Sequence, residues 1–245
     1  MGSGLTAVLF GFNGVIINDE AIHQTLTEQI LIEENLRPKP EEYAAVCLGR
    51  SDRDALEELF SRRGRVLQAS NLDGLLQRKS QRYLQALESL ESLPIYGGVV
   101  DLAYKLRAAQ VPMAVVSGAL RAEVEQVLAR ADLAKYFSVI VGGDDVGASK
   151  PDPAGYLKGL SQLKKQYPGV ECDTAIAIED TFAGIEAAKA AGLTVVGVAN
   201  TYPYHMIQRQ ANWAVDYLNE LELDRVVRVL TTHSDREPVS TSEET

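Results

Sequence analysis

A three-layer α/β fold, with a parallel doubly wound sheet and a helical insert near the N-terminus, is what this 245-residue sequence predicts. Three observations carry the expectation. The run Leu5 to Phe10 is apolar, too short for a buried helix, and followed by Gly11 and Gly14, which is how a buried strand delivering a sharp loop reads. From about residue 98 onward, strand-like runs alternate with segments of helical period, the pattern of βαβ units with right-handed crossovers. Between these two regions, residues 18–93 show helical spacing and no strand pattern.

The elements follow in order. Ile22, Leu26, Ile30 and Leu31 recur at the spacing of one buried helix face, and Arg37-Pro38-Lys39-Pro40 ends that helix. Further helices are expected at about 41–47, 52–63 and 71–91, with Ser51 and Asn71 as N-caps. Arg62, Arg63 and Arg65 read as an ordinary solvated helix end. Leu93-Pro94-Ile95-Tyr96-Gly97-Gly98 is the hinge back to the α/β part. Helices at 98–109, 120–131, 153–166 and 182–191 then alternate with strands at 111–116, 138–142, 174–178 and 194–198, and a weaker strand near 213–216 and a helix near 219–230 finish the fold. The expected organisation is a core of residues 1–17 and 94–230, a helical insert at 18–93, and a flexible tail at 231–245 rich in Ser, Thr and Glu.

Composition narrows the partners. With 24 Lys plus Arg against 34 Asp plus Glu, the net charge of -10 opposes nucleic acid and anionic membranes. No apolar run approaches the roughly 20 residues of a membrane span. Cys47 and Cys172 stand far apart, without the spacing of a metal knuckle or redox pair, which suits a reducing, cytoplasmic setting.

Four segments hold residues with chemistry at the ends of strands, where α/β sheets place their sites. The first is Phe10-Gly11-Phe12-Asn13-Gly14. In Val116-Ser117-Gly118-Ala119 a hydroxyl and a glycine precede a helix whose first amides suit an anion; a purely capping Ser117 is the alternative. In Ser149-Lys150-Pro151 a lysine is pinned at a loop, a point charge for phosphate unless it is simply solvated. In Ile178-Glu179-Asp180-Thr181 adjacent carboxylates leave an apolar strand, which suits Mg²⁺, unless Asp180 only caps the next helix.

Together these segments resemble the motifs of the haloacid dehalogenase superfamily, subfamily IA, of the β-phosphoglucomutase and phosphoglycolate phosphatase kind. The resemblance implies a Rossmann-like core and a C1-type helical cap, and an aspartate nucleophile that attacks a phosphoryl group over Mg²⁺. Here Gly11 stands at the nucleophile position and Asn13 at the acid/base position. Ser117, Gly118 and Lys150 are implied to hold phosphate, and Glu179, Asp180 and the Asn13 backbone carbonyl to hold the metal. The cap loop Leu48-Gly49-Arg50-Ser51 and His23, twelve residues after Gly11, match cap-side residues; for His23, a pairing with a neighbouring polar group is the alternative. The expected ligand is a small phosphorylated metabolite. Because glycine cannot attack phosphorus, activity is expected to be lost or severely impaired, and Mg²⁺ to bind less tightly. The alternative function is a non-catalytic protein that binds a phosphometabolite or a protein partner.

Overall fold

The computed structural model describes residues 4–226 and residue 228. A six-stranded parallel sheet runs in the order β3-β2-β1-β4-β5-β6. The strands are β1 (Ala7–Phe10), β2 (Met113–Val116), β3 (Val139–Val141), β4 (Ala175–Glu179), β5 (Thr194–Val198) and β6 (Trp213–Val215). Alternate residues of β1 feed opposite faces: Val8 and Phe10 join one apolar cluster, Ala7 and Leu9 the other. A sheet buried on both faces needs near-continuous apolar strands, which is why these read as runs rather than as alternations.

The order of the strands positions the site. β1 lies between β2 and β4, so the residues that follow these three strands, Gly11, Ser117 and Asp180, emerge side by side at one edge. The layers are completed by α5 (Val99–Ala108), α6 (Arg121–Arg130), α7 (Ala154–Gln166), α8 (Phe182–Ala190) and α9 (Tyr204–Gln210). Between β1 and α5 lie α1 (Glu20–Glu33), α2 (Glu42–Val46), α3 (Asp52–Ser61) and α4 (Ala69–Glu88). These four helices share an apolar cluster of their own, around Ile30, Leu56, Phe60 and Leu75.

Several expectations need correction. Ser51 does cap α3, accepting from the Asp54 amide at 3.2 Å, but Asn71 caps nothing. Helix α4 begins at Ala69, because the amides of Asn71 and Leu72 both reach the Gln68 carbonyl at 3.0 Å. Arg63 is not solvated: its side chain is 9 % exposed and grips the Glu42 carboxylate with two bonds, at 3.1 and 2.6 Å. The sequence reading had no helix where α9 stands, and where one was expected at 219–230 a 3₁₀ turn at Leu218–Glu220 is followed by helical backbone at 223–226. The expected tail lies outside the described residues. No helix among the described residues is long and apolar enough to cross a membrane.

Candidate active site

Gly11 is buried at the tip of β1, its amide donating to the Ile178 carbonyl at 2.8 Å. A Cβ built there would stand 3.0 Å from Val15 Cγ2 and 3.2 Å from the Glu179 carboxylate. Glu179, 1 % exposed, thus leans across the direction a side chain at position 11 would take. Its Oε1 accepts from the Lys150 ammonium and the Tyr156 hydroxyl. Lys150 Nζ also donates to the Val116 carbonyl at 3.1 Å. Asp180 accepts from the Thr201 hydroxyl and does not cap α8; that task belongs to Thr181, which accepts from the Gly184 amide at 3.1 Å. Burial, and then the charge of Glu179, push the Asp180 carboxyl well above its ordinary range.

The phosphate side differs from the expectation in one respect. Ser117 Oγ accepts from the Ala119 amide at 2.9 Å, a local turn. The next amides, which were expected to face an anion, are already satisfied: Leu120 N by Glu123 Oε2 at 3.0 Å and Arg121 N by Asp144 Oδ1 at 2.8 Å. What remains for an anion is the Ser117 hydroxyl proton, the Gly118 backbone and Lys150. Gly118 also seats the helical insert, since a Cβ there would stand 2.7 Å from the Arg50 carbonyl oxygen. On the other side, Gly49 (φ +76°) fits against Thr181 in the same way, its Cβ position 2.6 Å from Thr181 Oγ1. Arg50 makes no ion pair among the described residues; its guanidinium reaches only the Val46 carbonyl, at 3.5 Å.

A buried polar chain runs from the first loop into the insert. Asn13 Nδ2 lies 3.0 Å from both oxygens of Asp19 and 3.1 Å from His23 Nε2. The amide therefore serves as a donor to Asp19, and a carboxylate in its place would face another carboxylate. Burial disfavours the Asp19 charge, yet His23, Tyr83 and Asn13 together hold its carboxyl below the ordinary value. His23 Nδ1 meets Lys79 Nζ at 2.9 Å, and an ammonium only donates, so Nδ1 accepts and the ring proton sits on Nε2, facing Asp19. Lys79, 1 % exposed, also bonds both oxygens of Asp52, at 2.6 and 2.7 Å.

Asp52 gives a pH prediction. Burial works to raise its pKa, but Lys79 and then His23 outweigh that and hold the carboxyl below its ordinary value. A carboxyl with a depressed folded-state pKa adds stability above the unfolded value, near 4, and loses it as pH falls through the folded value. Thermal unfolding followed from neutral pH downward should therefore show a midpoint that drops in acid, and Asp52→Asn should flatten that acid limb.

Apart from Gly11, every residue singled out in the sequence lines one cavity of about 50 Å³, together with Glu20, Tyr43, Cys47 and Asp52. The sequence reading missed Asp19, Lys79 and Tyr83. Only Lys79 left a signal: it falls on the buried stripe of α4 with Leu72, Leu75, Leu76 and Tyr83, where an unpartnered ammonium would not be tolerated.

A model of the haloacid dehalogenase-like hydrolases matches residues 8–198. The chain belongs to the haloacid dehalogenase-like hydrolase family. Its relatives include the protein CbbY of Rhodobacter capsulatus, 26 % identical over 221 residues, covering 88 % of this chain and 94 % of that one. The phosphoglycolate phosphatase of Pectobacterium atrosepticum is 27 % identical over 202 residues, covering 82 % and 83 %. Among solved structures, β-phosphoglucomutase from Clostridium difficile aligns with a TM-score of 0.83 at 20 % identity, covering 95 % and 100 %. CbbY from Rhodobacter sphaeroides in complex with phosphate aligns at 0.77 and 22 %, covering 89 % and 96 %. These relatives place this haloacid dehalogenase-like chain in subfamily IA, and the parallel sheet with its flanking helices is the fold of the structural neighbours.

Proposed function

We propose that this family member binds the phosphoryl end of a small phosphorylated metabolite without forming a covalent intermediate. The observation that carries the reading is the tip of β1, where Gly11 offers no oxygen and Glu179 occupies the approach, while Ser117, Gly118 and Lys150 still face the same cavity. Attack on phosphorus needs a free carboxylate in line with the leaving oxygen. Glu179 does not supply one, because a lysine and a tyrosine hold its outer oxygen.

The cradle itself is chemically competent. An ammonium has three protons, and Val116 and Glu179 take two of those on Lys150, leaving one for a phosphoryl oxygen. Arg50 and His23 are the cap-side groups within reach of the rest of the ligand. CbbY and the phosphoglycolate phosphatases support a small phosphorylated compound as the ligand class. Phosphatases of this family generally use Mg²⁺.

Isothermal titration with inorganic phosphate and small sugar phosphates, paired with a phosphate-release assay on the same samples, tests the proposal. Binding without release is the expected result. Lys150→Met should weaken binding by about 10- to 100-fold, the worth of one charged hydrogen bond. Turnover of any phosphomonoester by the chain as written would refute the assignment of Gly11.

A further inference from the structure

The acidic pair does not fit a divalent ion as it is arranged. A hard dication needs several oxygen donors with open lone pairs converging on one point. Position 11 contributes no side-chain oxygen, and the space beyond it is met within 3.2 Å by Glu179 Oε1. That oxygen is shared by Lys150 and Tyr156, Glu179 Oε2 accepts the Asp180 amide at 3.3 Å, and Asp180 Oδ2 accepts from Thr201. Among the described residues, no three His, Cys, Asp or Glu side chains gather in a way that could hold a metal. Asp180 Oδ1 and the Asn13 carbonyl are too few to replace the water shell that Mg²⁺ gives up reluctantly.

The position of Lys150 supplies the alternative. Its side chain is 11 % exposed, its ammonium lies 2.5 Å from Glu179 Oε1, and the Val116 carbonyl at the end of β2 fixes it from the other side. A dication at this point would sit against that ammonium. We infer that Lys150 is the resident cation of this site, neutralising Glu179 where the family's divalent ion would otherwise be needed, so that the phosphoryl cradle works without metal. The first half of this inference stands on the donor set alone; the second rests on the ligand reading above.

Titrating the full chain with Mn²⁺ alone, read by water-proton relaxation, tests the first half with no phosphate present. No saturable binding at micromolar to low millimolar Mn²⁺ is expected, and the same thermal midpoint in EDTA as in Mg²⁺. A saturable site of one Mn²⁺ per chain that Asp180→Asn abolishes would overturn the inference. A midpoint raised by Mg²⁺ and returned by EDTA would overturn it equally, without relying on a variant. Titration of inorganic phosphate in EDTA and in Mg²⁺ tests the second half: equal affinities are expected, and binding seen only with Mg²⁺ refutes it. If phosphate binds in neither buffer, the ligand reading fails, while the Mn²⁺ result still decides whether Lys150 has taken the metal's place.

Discussion

Lys79→Met should lower the free energy of unfolding by about 3 kcal/mol, the lower end of what breaking a buried ion pair costs, because one partner keeps some access to water. Lys79 is 1 % exposed whereas the Asp52 side chain is 25 % exposed. Methionine matches the lysine stem, so packing against Leu75 and Tyr83 is kept and the loss is mainly electrostatic. Asp52 and His23 Nδ1 lose their donor together, which is why the effect exceeds that of a surface pair. Urea denaturation of Lys79→Met, Asp52→Asn and the double variant gives the coupling directly. A loss within about 1 kcal/mol, typical of an exposed pair, would show that this chain of polar groups is far wetter than its burial indicates.

Gly14→Ala is expected to cost about 2–5 kcal/mol, summing a left-handed alanine with overpacking of a tight interior. Gly14 has φ +77°, and an added Cβ would lie 1.8 Å from Asp180 Oδ2 and 2.5 Å from its Cγ. Asp180 has little room to yield, since it is 2 % exposed and tied to Thr201, and Gly14 is itself held where its carbonyl accepts from Asn200 at 2.7 Å. Thermal and chemical unfolding measure the loss. Gly74→Ala is the control: this glycine lies inside α4 with nothing within 4 Å, so alanine there should be neutral or slightly stabilising.

The sheet was legible because its physics is local in sequence. Strands buried on both faces must be short apolar runs, and the crossovers between them must be amphipathic helices of ten or so residues. The loops after β1, β2 and β4 were equally legible, since glycine, serine and paired acids at a strand exit leave few structural readings. The support behind them was not. Asp19 gives no local sign that it will receive the Asn13 amide and the Tyr83 hydroxyl, the latter from 64 residues away. Nor does Arg63 announce Glu42, because the loop before α2 decides that meeting. The amides at the start of α6 looked open to an anion only because Asp144, on the far side of β3, is invisible to a reading of neighbouring residues.

Residues 49–51 rest between Gly118 and Thr181 with almost no clearance, over a space that holds about three or four waters by volume. A phosphate ester is larger than that. Entry and exit therefore share one gate, the lifting of this short loop, on the microsecond-to-millisecond scale of such motions. Residence time is then governed by how often the loop unseats, and ligands of very different strength would exchange at rates more alike than their affinities.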